Sequence, residues 1–232
     1  SRRSRLGGPH LRHFEEQLDD LRKMLLQMSG LVESAIYRSV HALVERDAGL
    51  AQQVLNNESR INQMEIEIDD LAIGLLALEQ PVAKDLRFLT SAIKINNDLE
   101  RMGDLAVNVV ERALDLMHEP AVVTIVDIPQ MATLVESMVR KVLDSFVKKE
   151  SDLARSVLTS DDEVDDWRDT VYRQMIRYMQ ENPSMIPQCV SMMFVARNLE
   201  RIADHATNIA EDVLFLIEGI DVRHHAEAHQ AS

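Results

Sequence analysis

"MSGLVESAIYRSVHALVERDAGLAQQVL", Met28 to Leu55, decides how this chain is read, because it returns as "MATLVESMVRKVLDSFVKKESDLARSVL" from Met131 to Leu158. The two stretches share 10 of 28 residues at an offset of 103. Further along, "DLERMGDLAVNVVE" (Asp98 to Glu111) returns as "NLERIADHATNIAE" (Asn198 to Glu211), with 7 of 14 residues identical at an offset of 100. Two blocks in the same order at neighbouring offsets are an internal repeat, the feature that settles architecture before any single element is assigned. The second copy lacks three residues between the blocks, and Pro81 and Pro183 mark the helix ends where such a gap is tolerated.

Each copy parses into three helices. In the first they run from about Leu11 to Arg46, Leu50 to Glu79 and Val82 to Met117. In the second they run over Gln130 to Lys149, Asp152 to Gln180 and Met185 to Glu218, with Gly219 as the final stop. Few glycines, prolines and aromatics among many Leu, Met, Ala, Val and Glu fit this, since those residues lose little side-chain freedom in a helix. The expected fold is all-α, two tandem three-helix bundles. Residues 1–10 form a lead-in, 11–118 the first repeat, 119–129 a linker, 130–219 the second repeat and 220–232 a tail. The linker "EPAVVTIVDIP" is a β-branched run bounded by prolines, which does not read as helix.

Composition removes several function classes. A formal charge of −14 opposes nucleic-acid phosphates, and no basic stripe with interleaved aromatics overcomes it. No segment reaches the roughly 20 uninterrupted apolar residues a membrane span requires. The basic start "SRRSRLGGPHLRHF" has no apolar core after it and reads as a solvated lead-in. One cysteine, Cys189, supports no disulfide framework; on an apolar stretch it is buried packing. Met192, Met193 and Phe194 read as core filling, and the three histidines of the tail "DVRHHAEAHQAS" as a frayed terminus.

The later block carries the polar signal. Around a helical wheel with Glu100 at zero, Asp104 falls at about 40°, Asn108 at about 80° and Glu111 at about 20°, opposite Leu99, Met102, Ala106, Val109 and Val110. Glu200, Asp204, Asn208 and Glu211 repeat the ridge. Like charges four residues apart destabilise a helix slightly, so the ridge is a liability unless something positive covers it. One reading is a solvated acidic face, repeated because the whole unit was duplicated. The other is a metal site, in which oxygen ligands from successive turns bridge a hard or borderline cation. A neighbouring helix must then contribute, and the second helices offer Glu65 with Asp69, Asp162 with Asp166 and Asp165 with Asp169. The Glu-x-x-His unit of di-iron bundles is absent and no nucleophile–base pair stands near the ridge, so the reading is not an enzyme.

The motifs "DLERMGDLAVNVVE" and "NLERIADHATNIAE", with "PVAKDLR" (Pro81 to Arg87) after the second helix, resemble the PhoU family of phosphate-transport regulators from about Leu11 to Gly219. The resemblance implies a cytoplasmic protein of two similar three-helix bundles whose Glu/Asp-x-x-x-Asp motifs bind metal clusters. By position these are Glu100 with Asp104 and Glu200 with Asp204. Asn108, Asn208 and His205 also match, while Leu105 stands opposite His205 and Ala203 replaces a glycine kept as Gly103. Iron, zinc, manganese and magnesium remain open as the metal. The implied role is negative regulation of phosphate uptake and of the phosphate-starvation response. The partners would be the ATPase subunit of a phosphate ABC transporter and a membrane sensor histidine kinase, so that the membrane is met only through them. A homodimer is expected. A metal-free helical adaptor and a metal-buffering protein stand as alternatives.

Overall fold

The computed structural model describes residues 9–78, 81–122 and 127–219. The first repeat consists of α1 (Pro9–Glu45), α2 (Ala48–Leu78) and α3 (Ala83–Met117). The second consists of α4 (Asp127–Lys148), α5 (Ser151–Thr159), α6 (Asp161–Glu181), a short 3-10 turn (Pro183–Met185) and α7 (Ile186–Glu218). The described residues contain no strand. The tail histidines and the start of the lead-in lie outside the described residues.

The repeat extends to its joints. Arg46 and Lys149, 103 residues apart, both adopt left-handed backbone at φ 53° and 57°. After each, a backbone N–H reaches back five residues, Asp47 to Ala42 and Glu150 to Ser145. Holding a non-glycine residue there costs about 1 kcal/mol. In the first copy compensation is visible: the Arg46 guanidinium donates to the carbonyls of Met117 and Glu119 at 3.0 Å each, binding the end of α1 to the end of α3. Asp47 then caps α2, its Oδ1 accepting from the N–H groups of Gly49 and Leu50. The missing three residues fall in the connector to the last helix. In the first copy residues 79–82 separate α2 from α3, whereas in the second Asn182 alone precedes the 3-10 turn.

Three expectations need correction. The middle helix of the second copy is broken at Ser160, between α5 and α6. The hydroxyls of Ser156, Thr159 and Ser160 all donate back to carbonyls three or four residues earlier, competing with the helical ladder. Asp161, Asp162 and Glu163 then form the first turn of α6, where negative charge is favourable. Helix α4 starts at Asp127, three residues before Gln130, because Pro129 in its first turn lacks only an N–H that would have had no helical partner. Phe194 is 47% exposed, while Met192 is buried and Met193 packs against the core; Cys189 is buried as expected.

The two repeats share one apolar core. Buried side chains run continuously from Leu25, Ile36 and Ile68 through Leu99 and Val110 to Met138, Leu199 and Ile209. The seam is formed by α3 against α7, which run antiparallel: Asp98 meets Asn208 while Arg112 lies over Phe194. These pairs fall symmetrically about the repeat-equivalent Gly103 and Ala203, so an approximate twofold relates the two helices.

Candidate functional site

In the first repeat, α2 and α3 bring four carboxylates to one face. Burial raises Glu100 to about 7, aided by a hydrogen bond and charge repulsion from Asp104 and by the charge of Glu65. Glu65 is itself raised, first by burial and then by Asp69 one turn further on. Asn96 fixes this end of the patch, donating through Nδ2 to the carbonyl of Glu65 at 2.9 Å and to Oδ1 of Asp69 at 3.0 Å. At the other end Glu58, Asn62 and Asp104 line a shallow cleft floored by Ile61 and Val107. The antiparallel register of α2 and α3 sets Glu65 near Glu100, while Asp69 lies against Asn96 and Asp104 shares its cleft with Glu58 and Asn62.

The second ridge is built differently. Burial raises Asp161 to about 6, followed by the charges of Asp204, Asp165, Asp162 and Glu200. Asp204 is raised too, by burial and then by Glu200 and Asp165. Arg168 enters this patch, with Nη1 2.7 Å from Oε1 of Glu200 and 3.6 Å from Oδ1 of Asp165, and with Nη2 2.9 Å from Oδ1 of Asp169. The other oxygen of Glu200 is buried and has no hydrogen-bond partner. The repeat offset puts Arg168 at the position of Glu65, so a cation in one copy replaces an anion in the other.

Asp161, Arg168 and Asp98 escaped the sequence reading. Asp161 was legible through its four-residue spacing to Asp165 and through its alignment with Glu58. Of the residues named instead, Asp162 and Asp166 are exposed. Asp98 sits on the apolar side of the wheel and is buried at the seam. Its Oδ1 is 2.7 Å from His205 Nδ1 and accepts from Asn208 Nδ2 at 3.3 Å. Asn208 thus serves the seam, and Asn108 and Glu111 line a separate cleft with Arg112. Glu211 is half-buried.

Among the described residues, no group of three or more His, Cys, Asp or Glu side chains converges closely enough to enclose a metal ion as it stands. The donor chemistry is nonetheless that of a hard cation: carboxylate oxygens only, from two helices, close enough to hold one another's protons. No helix among the described residues is long and apolar enough to cross a membrane.

Fold and site together define a class, an all-α tandem repeat in which each half carries a carboxylate ridge between its middle and last helices. The family model of the PhoU domain matches twice, over residues 25–113 and 128–213, and the chain belongs to the PhoU family. It is 43% identical over 212 residues to a Pseudomonas aeruginosa protein described as a phosphate-specific transport system accessory protein PhoU homolog, covering 91% of this chain and 88% of that one. It is 33% identical to a Serratia marcescens protein described as the phosphate-specific transport system accessory protein PhoU, covering 91% and 87%. The crystal structure of PhoU from Pseudomonas aeruginosa superposes with a TM-score of 0.87 at 42% identity, covering 89% of this chain and 100% of that one. The phosphate transport system regulatory protein PhoU from Streptococcus pneumoniae gives 0.81 at 29% identity, covering 90% and 99%.

Proposed function

We propose that this chain is a regulator of phosphate transport that acts by stoichiometric binding, restraining uptake and the phosphate-starvation response when phosphate is plentiful. The observation that carries this is similarity along nine-tenths of the chain to accessory proteins of a phosphate-specific transport system. Its partners on this reading are the ATPase subunit of a phosphate ABC transporter and a sensor histidine kinase. The test is a phosphate-responsive reporter in a deletion strain, together with pull-down by the purified ATPase and kinase. The reporter should stay on in rich phosphate without the protein and be silenced by its return; a silent reporter in the deletion strain refutes the role.

The ridges are proposed as cation sites. Glu65, Asp69, Glu100 and Asp104 would hold an ion in the first repeat, and Asp161, Asp165, Glu200 and Asp204 in the second. A bound hard cation supplies positive charge that relieves the repulsion between α2 and α3, fixing the relative position of the helices that partners would meet. Metal analysis of untagged protein and of the Asp104→Ala, Asp204→Ala double variant tests this, with loss of bound metal expected in the variant. Wild-type protein that takes up none of iron, zinc, manganese or magnesium sinks the assignment.

A further inference from the structure

The approximate twofold between α3 and α7 generates two ends of the seam that began as equivalents and now differ in charge. At one end the buried Asp98 carboxylate stands between His205 and Asn208. At the other, its repeat-equivalent is the neutral Asn198, whose side chain turns away to donate to the Phe194 carbonyl at 2.9 Å. Leu105 stands in place of His205. Around the vacated position lies an open cleft of about 320 Å³ lined by Asn108, Arg112, Arg197, Asn198 and Arg201 together with Glu111 and Phe194.

Three guanidiniums against one carboxylate are an unusual concentration of positive charge for a chain of net −14. Arg112 is steadied by the Phe194 ring, 4.9 Å from its centroid, and has only a loose 3.9 Å approach to the exposed Asp115. Arg197 and Arg201 have no ion pair or hydrogen bond among the described residues. We propose that this cleft binds a phosphoryl oxyanion, which takes the place that the Asp98 carboxylate holds at the other end of the seam. Guanidinium forks match tetrahedral oxyanions bidentately, and the local excess of two positive charges balances a dianion. A planar monoanionic carboxylate leaves donors unused. Glu111 accepts from the hydroxyl of hydrogen phosphate or of a singly protonated phosphate ester, a donor that sulfate lacks. This site is separate from both acidic ridges, and the inference does not depend on the regulatory role.

The experiment is calorimetric titration of metal-stripped full-length protein at pH 6.5 and low ionic strength with inorganic phosphate, adenosine monophosphate and sulfate. Saturable binding of phosphate at one per chain is expected, weakened about tenfold or more in Arg197→Ala, Arg201→Ala. The change Lys94→Ala, Arg101→Ala at the opposite end of the seam should leave it unaltered. Equal affinities for phosphate and the nucleotide identify free phosphate as sufficient, and a nucleotide bound more than tenfold tighter identifies an ester whose organic part meets Phe194; both support the site. Binding that is absent, that sulfate matches, or that survives loss of Arg197 and Arg201 overturns it.

Discussion

The two acidic ridges descend from one ancestral segment, yet they meet their own charge in opposite ways. The second carries its counter-ion within the chain, since Arg168 pairs with Glu200 and reaches Asp165 and Asp169. The first has Glu65 in place of that arginine, and there burial first, then Asp104 and the charge of Glu65, raise Glu100 to about 7. Duplication therefore preserved the spacing of the carboxylates while their electrostatic solution diverged. One substitution on a neighbouring helix gives the second patch a cation of its own where the first has a further anion, and even with that cation Asp161 and Asp204 stay raised.

Turning the second ridge into the first should have the largest effect. Arg168→Glu leaves the half-buried Glu200 facing another anion, and removing one partner of such a pair costs about 2–4 kcal/mol in chelator-treated protein at pH 7.5. Thermal melts with and without a divalent cation check this, the cation recovering much of the loss in the variant. An unchanged melting temperature breaks the comparison.

The pH dependence should follow one raised carboxyl in each ridge. Glu100 holds its proton more tightly folded than unfolded, as does Asp161, so their contributions favour the native state at low pH. Those contributions are lost as pH rises from about 4.5 to about 7 for Glu100 and from about 3.8 to about 6 for Asp161. Melting temperature should fall between pH 5 and pH 7.5, by about 2–4 °C for each kcal/mol lost. In Glu100→Gln the part above pH 6 should flatten, and a slope unchanged by that substitution places the titration elsewhere.

Giving the first ridge the arginine of the second is the converse change. Glu65→Arg should stabilise metal-stripped protein by about 0.5–1 kcal/mol while lowering the affinity of the first repeat for divalent cations. Equilibrium urea unfolding measures the first effect and cation titration the second; destabilisation would mean that Arg168 depends on neighbours the first repeat lacks. The smallest effect is expected at Gly103, where the second copy already has Ala203. An added Cβ would rest 3.4 Å from Ile61 Cγ2, an ordinary contact, and Gly103→Ala should gain about 0.5 kcal/mol from helix propensity. Chemical denaturation resolves it, and a loss would show that α2 and α3 cannot give way even slightly.

Much of this organisation was legible in the sequence because it is periodic. The repeat, the three helices of the first copy, the position of the three-residue gap and the ridge of Glu100 and Asp104 follow from spacing along single helices. What depended on neighbouring helices was harder to read. The reach of Arg168 across to Glu200, and the burial of Asp98 against His205, are set by register and by the seam between repeats, which no one-helix pattern encodes. Asp161 was missed because a run of five acidic residues between Asp161 and Asp166 offers several four-residue pairings, of which only the fold selects one. The break at Ser160 reflects three clustered hydroxyls, each a weak competitor for backbone carbonyls and decisive together.

The seam between α3 and α7 has a consequence for how the two halves can evolve and be taken apart. Buried side chains and the Asp98, His205 and Asn208 contacts join the repeats at surfaces that recognise each other without the covalent link. Residues 9–118 and 127–219 supplied as separate polypeptides should reassociate as a one-to-one pair, detectable by co-purification from a bicistronic message. The protein in that sense is a heterodimer written as one gene. Each half is free to drift at its own ridge, as Glu65 and Arg168 have done, but at the seam every change must be answered by the other half.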